Sequence, residues 1–348
     1  MACLLLKSMV NHFHNNKISA SQYGSITLAL RVVTGWTYFS AFWRRLILEN
    51  KLDPDAPGYI GEKFNHFLPN ALLIKPQIEF LVTHPDWLWW AMLVFTIIEG
   101  VVGLLFMLGL FTRLMSIGVF SLAMGILLGA GWLGTTCLDE WQIGVLGVAA
   151  GFTVFLSGGG AYSVDTVLQQ KIGSSKLMNW LSSGEFSFSE KILKKIVIGG
   201  TVFITALTLF TNQYFHGGVW GKLHNLSVKP NIHISGAQIE NGKLSFTIFR
   251  NEGADVYGSF LIKITLKDKQ GNILMERAAN ELASMSKSDI KNYYVAKVKP
   301  GKLSIVVPLG AKATLHFIEP VFLQSLNTDD LILELTDISG IIWTSKIN

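Results

Sequence analysis

Between about residues 21 and 215 the apolar positions run in five long blocks, and few polar residues interrupt them. The clearest block, Trp87 to Phe111 (WLWWAMLVFTIIEGVVGLLFMLGLF), contains one charge, Glu99. A stretch of about 20 apolar residues crosses a hydrocarbon layer roughly 30 Å thick. The pattern therefore predicts an integral membrane protein. Further spans are expected at 21–42, which contains Arg31, and at 114–133, 141–157 and 194–215. The glycine spacings Gly125/Gly129 and Gly147/Gly151 suit close helix packing.

From His216 onward the long blocks give way to period-two alternation. Leu244, Phe246 and Ile248 alternate with Ser245 and Thr247, and Phe260, Ile262, Ile264 and Leu266 alternate with Lys263, Thr265 and Lys267. Gln270-Gly271-Asn272 and Ile338-Ser339-Gly340 read as hairpin turns. The predicted fold class is an α-helical membrane bundle (four helices plus a fifth transmembrane helix) followed by an all-β, immunoglobulin-like sandwich domain. The expected domains are 1–157, a linker at 158–193 with one surface helix, the fifth span at 194–215, and the β domain at 216–348.

Composition supports this division. Half the residues are hydrophobic, 15% are charged and the mean hydropathy is +0.39, against about 25% charged residues in soluble domains. Ten Trp and 22 Phe suit aromatic belts at two interfaces. The net charge of +5 is spread over loops with no basic patch interleaved with aromatics, so no nucleic-acid partner is expected. With only Cys3 and Cys137, a disulfide framework and a four-thiolate iron–sulfur cluster are both excluded. The N-terminal segment lacks the cleavage pattern of a signal peptide.

Lysines and arginines set the orientation. Lys7, Lys17, Arg113, Lys171, Lys176, Lys191, Lys194 and Lys195 fall on one side, which is expected to be cytoplasmic. The expected location is the cytoplasmic (inner) membrane. The 44–86 loop, the 134–140 turn and the β domain then face outward.

Arg31 and Glu99 are the charges deepest inside the expected spans, and such residues are functional candidates because a charge at mid-bilayer is costly unless paired or wet. They lie at similar depth. One reading makes them a structural ion pair, and the other makes them a polar wall for a quinone head group with Glu99 handling its protons. The turn GTTCLDEWQIG gathers Cys137, Asp139, Glu140, Trp141 and Gln142 at the outer face. Asp139 suits an N-cap, while Cys137 reads either as an inert small hydrophobe or as a nucleophilic thiol. Arg44 and Arg45, which open the outer loop, are suited either to gathering a small dianion or to anchoring on lipid phosphates. No histidine falls within an expected span and no phosphate-cradling motif opens a helix, since Gly158-Gly159-Gly160 reads as a helix stop. No haem, flavin, iron–sulfur or metal site is expected.

The segments LRVVTGWTYFSAFWRRL and IIEGVVGLLFMLGLFTRL, together with the GTTCLDEWQIG turn, resemble the DoxD subunit of thiosulfate:quinone oxidoreductase, within the wider DoxX-like group of four-helix membrane proteins. The fifth span and residues 216–348 resemble the DoxA subunit in layout, so the chain resembles a fusion of both. The resemblance implies oxidation of thiosulfate to tetrathionate, with a membrane quinone as electron acceptor. It does not itself assign catalytic residues. On the residues' own chemistry the catalytic candidates are Cys137, Glu99 and Arg31, and the substrate-binding candidates are Arg44, Arg45, Asp139, Glu140, Trp141 and Gln142. The expected partners are the lipid bilayer, thiosulfate and quinone, with a homo-oligomer or a respiratory-chain partner left open. A competing reading is a non-catalytic membrane subunit or assembly factor whose β domain docks a partner.

Overall fold

The computed structural model describes residues 20–134, 139–172, 175–183, 189–240, 242–254, 259–318 and 331–347. Among these residues four helices, α5 (Pro85–Leu108), α6 (Thr112–Ala130), α7 (Asp139–Ser157) and α10 (Glu190–His216), are long and apolar enough to cross a membrane. The expected span at 21–42 is instead broken at Thr27 into α1 (Ala20–Ile26) and α2 (Leu28–Phe42). The Thr27 hydroxyl turns back to the Gly24 carbonyl and across to Ser157 Oγ, 2.9 Å away. Such local side-chain bonds compete with the helical ladder.

Helix α2 does not stop where the loop was expected. It continues as a π-helical turn over Trp43–Leu48, because WRRLILENKLDP offers no glycine or proline before Pro54. The rest of the 44–86 segment, expected as a loop, also has structure: α3 (Gly61–Phe67), a 3₁₀ turn (Leu68–Asn70) and α4 (Lys75–Thr83). The linker holds two helices rather than one, α8 (Val164–Ile172) and α9 (Lys176–Leu181). Gly158, with φ +71°, ends α7 as its sequence suggests.

The chain forms two compact units. One comprises Met1–Leu48, Thr96–Met124 and Val145–Ala206, and the other Glu49–Phe95, Gly125–Gly144 and Leu207–Asn348. In the first, α2 and α5 meet backbone to backbone at Gly35 and Gly103: a Cβ on Gly103 would lie 2.4 Å from the Phe39 nitrogen. Gly151 meets Phe120 of α6 in the same way, at 2.9 Å from its nitrogen, and Gly147 meets Ala123. The packing expected of the α7 glycines is therefore present. Gly125 faces open space and Gly129 touches side chains no closer than 3.4 Å, so that pair does not bring helices together.

The second unit contains a two-sheet β domain. One antiparallel sheet has the order β1 (Asn231–Glu240), β2 (Lys243–Glu252), β8 (Lys312–Ile318), β5 (Ile290–Asn292). The other runs β10 (Ile342–Lys346), β9 (Ile332–Asp337), β3 (Ser259–Lys267), β7 (Ile305–Val307), β6 (Lys299–Pro300), with β4 (Ile273–Ala278) also on β3. Both expected turns close hairpins, β3–β4 and β9–β10. Leu244, Phe246 and Ile248 are fully buried in the shared core. On β3 the expected alternation fails. A register shift between Leu261 and Lys263 turns the strand over, so Leu261, Ile264 and Leu266 enter the core while Phe260 and Ile262 do not.

Helices α3 and α4 seat this domain within the same unit. Asn65, with no exposed surface, donates to the Gly310 carbonyl at 2.9 Å and accepts from the Ala296 amide at 3.0 Å. Gly310 (φ +73°) has to be glycine, since a Cβ would overlap the Asn65 carbonyl. Tyr294 donates to Glu79 at 2.8 Å, and Leu68, Ile78 and Val82 pack on Tyr294 and Phe249.

Candidate functional site

The first unit buries two separate sets of polar side chains. Arg31, Tyr38 and Arg45 recur at seven-residue intervals, two helical turns, so they share one face of α2 and its π-helical extension. Arg45 Nη1 lies 2.7 Å from Glu99 Oε2 and 3.2 Å from Thr96 Oγ1. Thr96 precedes Glu99 by three residues and so shares its helix face. The pair is well shielded, with 17% of the Arg45 side chain and 5% of the Glu99 side chain exposed. The field of Arg44 also reaches Glu99. The Tyr38 ring is buried beside this pair, within the field of the Glu99 carboxylate. Its hydroxyl has no hydrogen-bond partner among the described residues. It rests against Gly147, where a Cβ would come within 2.6 Å.

Arg31 therefore does not pair with Glu99, as equal depth had suggested. It points to the other end of α2 and donates through Nη2 to the Tyr162 carbonyl at 2.6 Å. Depth in a span fixes height but not azimuth, and Arg45 reaches Glu99 because the helix runs on past Phe42. Around Arg31 the linker folds into a cap for α6. Asp165 accepts from the amides of Phe111 (2.7 Å) and Thr112 (2.9 Å) and from the hydroxyls of Thr112 (2.6 Å) and Ser183 (2.9 Å). A carboxylate at a helix start satisfies amides that have no partner in the helix and complements the dipole. Its charge also reaches Arg31 and Arg113, and the latter donates to the carbonyls of Phe155 and Asn179.

The remaining substrate-binding candidates fall in the second unit, apart from Arg44, which like Arg45 belongs to the first, is exposed on the π-helical turn and donates through Nε to Ser40 O. Cys137 and the side chain of Asp139 lie outside the described residues. Gln142 is exposed and Glu140 half-buried at the start of α7. Trp141 donates through Nε1 to Thr211 Oγ1 at 3.0 Å and meets the His216 ring edge-on at 6.5 Å. Next to His216 is a cavity of about 530 Å³ lined by Asn212, His216, His224 and Asn225, among others. Asn225 also donates to the Gly134 carbonyl at 2.7 Å, tying the cavity wall to the segment that leads into the Cys137 turn. His216 and His224 were not singled out in the sequence. A histidine at the last position of a span, followed by the glycine loop HGGVWGKLH, was the available signal. Among the described residues no group of three or more His, Cys, Asp or Glu gathers as metal ligands.

Two family models cover most of the chain. Residues 26–189 match the one described as TQO small subunit DoxD, and residues 215–346 match the one described as TQO small subunit DoxA. Both describe subunits of thiosulfate:quinone oxidoreductase. The break between the matches falls along α10, where the membrane helices give way to the β domain. The chain belongs to the DoxD and DoxA families of oxidoreductase subunits, joined here in one polypeptide.

Proposed function

We propose that the protein is a membrane enzyme that oxidises two thiosulfate dianions to tetrathionate and passes the two electrons to quinone. One sulfur–sulfur bond forms, two electrons leave the pair of thiosulfates, and quinone takes up two electrons and two protons to become quinol. The carrying observation is the shielded Arg45–Glu99–Thr96 cluster on apolar helices, beside a buried phenol that has no hydrogen-bond partner among the described residues. Buried ionisable groups inside a membrane span are costly and mark redox or proton sites. A quinone carbonyl is an acceptor and fits a site offering an unused hydroxyl donor. Glu99 is positioned to hold and release a proton there, and Arg45 keeps its carboxylate oriented through a charge-assisted bond. Arg45 is thereby committed to Glu99, which leaves Arg44 of the two arginines to draw anions to the surface. Arg31 supports the α6 cap in this reading and stays away from the reacting groups.

On the outer side the Cys137 thiolate and the outer sulfur of one thiosulfate couple to Cys–S–S–SO3⁻ as quinone takes two electrons and two protons. The outer sulfur of a second thiosulfate then attacks the sulfur bonded to the cysteine, breaking that bond so that the thiolate returns and tetrathionate leaves. Asp139, Glu140, Trp141 and Gln142 border this turn. The N-terminus faces the cytoplasm and residues after His216 face outward, so a periplasmic reporter fused at residue 348 is active and a cytoplasmic one is not.

The test is the purified full chain in detergent with thiosulfate and a short-chain quinone, followed by quinone absorbance. Thiosulfate-dependent reduction with tetrathionate as product supports the reading. Its absence in protein of intact fold overturns it. The words "small subunit" in both family descriptions favour a second reading, in which this chain serves a larger partner. Co-purification of such a partner, with activity only in the complex, would support it.

A further inference from the structure

The linker between α7 and α10 carries a surface that the thiosulfate chemistry does not use. Arg113, near the start of α6, fixes α9 to the bundle from one side. Its guanidinium donates to the Phe155 carbonyl in the last turn of α7 and to the Asn179 carbonyl of α9, and its amide donates to the Ser182 carbonyl at 3.3 Å. These bonds hold α9 at the height where α6 begins and α7 ends, which for helices that span a bilayer is the headgroup region. Leu177 and Trp180, three residues apart and so on one face of α9, are nevertheless 67% and 48% exposed. Tyr162, ahead of α8, is 72% exposed. Trp and Tyr are the side chains enriched where a bilayer meets water.

Positive charge surrounds this face. On α10 the half-buried residues Leu193, Ile196, Gly200 and Ile204 recur every three or four positions and form its inner side. A Cβ on Gly200 would come within 2.2 Å of the Phe152 ring of α7. Lys191, Lys194 and Lys195, also three and four apart, fall on the other side and are exposed, as is Lys171 in the last turn of α8. None of the four makes an ion pair or hydrogen bond with another described residue. The described carboxylates of the linker are Asp165, which is committed to the α6 cap, and Glu190 beside Lys191. Like charges at these helical spacings repel, so this surface is completed by anions from outside the chain.

We propose that the linker docks on an anionic lipid leaflet. Leu177 and Trp180 enter the boundary between headgroups and acyl chains, while Lys171, Lys191, Lys194 and Lys195 bind the phosphates of acidic phospholipids such as phosphatidylglycerol. Lysine suits this place, because its apolar stem lies along the hydrocarbon edge while the ammonium reaches the headgroups. A two-fold contact with a second copy would use the same patch on both chains and set lysine against lysine. An acidic protein would satisfy the lysines but leave the Leu–Trp face at headgroup height without a role. The linker is thereby a membrane-surface anchor that makes the protein sensitive to lipid charge, whatever reaction the bundle performs.

The test is native mass spectrometry of the full chain in detergent, titrated with phosphatidylglycerol or with phosphatidylcholine of the same acyl chains. Wild type is compared with the triple variant Lys191→Gln, Lys194→Gln, Lys195→Gln. Each lysine near an anionic headgroup is worth about fivefold in affinity. Wild type should prefer phosphatidylglycerol, and the triple variant should lose on the order of 10²-fold of that preference while binding phosphatidylcholine as before. A second readout follows Trp180 in phosphatidylglycerol nanodiscs. Lipids brominated near the glycerol end of their acyl chains should quench more emission in wild type than in Trp180→Phe. The substituted positions are exposed, so both variants should keep the fold. Equal affinity of wild type for the two lipids, or equal quenching in both proteins, overturns the proposal. So does displacement of phosphatidylglycerol by an equal concentration of inorganic phosphate, which assigns the lysines to a free anion. A dimer that Trp180→Asp dissociates overturns it as well, in favour of a second copy.

Discussion

Around Asp165 the carboxylate is saturated: two backbone amides and two hydroxyls donate to it, and all four belong to the α6 start or the folded linker. Around Glu99 the described side-chain hydrogen bonding is a single contact with Arg45, and a phenol in its field has nothing to donate to. Both carboxylates are buried in the same unit, 1% and 4% exposed. The first arrangement consumes its polar capacity in holding backbone, as a structural cap does. The second keeps capacity in reserve, which is costly in an apolar setting unless something else uses it. Burial alone would rank the two sites equally. Satisfaction of their hydrogen bonds separates them.

The largest effect that tests this contrast is on stability at Asp165. Asp165→Ala strips four donors of their acceptor and leaves Arg31 and Arg113 without their shared carboxylate, so a loss on the order of 3–5 kcal/mol is expected. Thermal unfolding of the detergent-solubilised chain should show a sharp fall in Tm, or expression should collapse. A variant as stable as wild type would mean that the cap is not what holds the linker to α6.

Glu99→Gln should behave differently. The amide keeps the shape and still accepts from Arg45, so the fold survives with a loss of about 1–3 kcal/mol. A proton-handling group is gone, and quinone reduction should fall on the order of 10²-fold. Equal loss of stability in Glu99→Gln and Asp165→Ala, with turnover per folded molecule unchanged, would erase the distinction between the clusters.

A pair in the second unit supplies a reference outside the four long apolar helices. Burial, followed by the Glu79 hydrogen bond and charge, raises the Tyr294 phenol pKa above its ordinary value near 10. A group whose folded pKa is raised contributes stability that is present below the unfolded value and lost as pH climbs past it. The seating of α4 on the β domain should therefore hold through neutral pH and weaken above about pH 10. Tyr294→Phe, which cannot ionise, should lose less stability over that alkaline range, as read by Tm against pH.

How far the sequence went follows from what each signal encodes. Hydropathy alone located α5, α6, α7 and α10 to within a few residues, because a bilayer demands length and apolarity and little else. Alternation placed β2 correctly but failed on β3, where a bulge at Leu261/Lys263 depends on pairing with β9 and is invisible to a period-two count. Glu99 stood out as a lone charge. Its partner did not, since choosing Arg45 over Arg31 requires knowing that α2 continues as a π-helical turn. The seven-residue repeat Arg31, Tyr38, Arg45 was readable but points to a face only once helix through residue 48 is granted. Asp165 was not singled out in the sequence, because a cap contributed from 53 residues downstream leaves no local pattern. The His216–His224 pair required a loop closure that glycine content hints at and only coordinates fix.

The smallest expected effect on stability is also the most discriminating. In an ordinary core the hydroxyl of a buried tyrosine is bonded, and Tyr→Phe costs about 1 kcal/mol for the lost bond. Tyr38 has no such bond among the described residues, so Tyr38→Phe should leave Tm unchanged or slightly higher because a desolvated, unsatisfied group has been removed. The hydroxyl rests against Gly147, so its removal vacates the space of one oxygen atom and leaves the ring in place. If the hydroxyl serves a bound quinone carbonyl, the same variant should raise the KM for quinone several-fold and leave the KM for thiosulfate alone. A fall in Tm would reveal a structural bond and move Tyr38 into the class of Asp165. Unaltered Tm with unaltered quinone kinetics would leave the reserve around Glu99 without a use, and the contrast between the two clusters would then be one of packing alone.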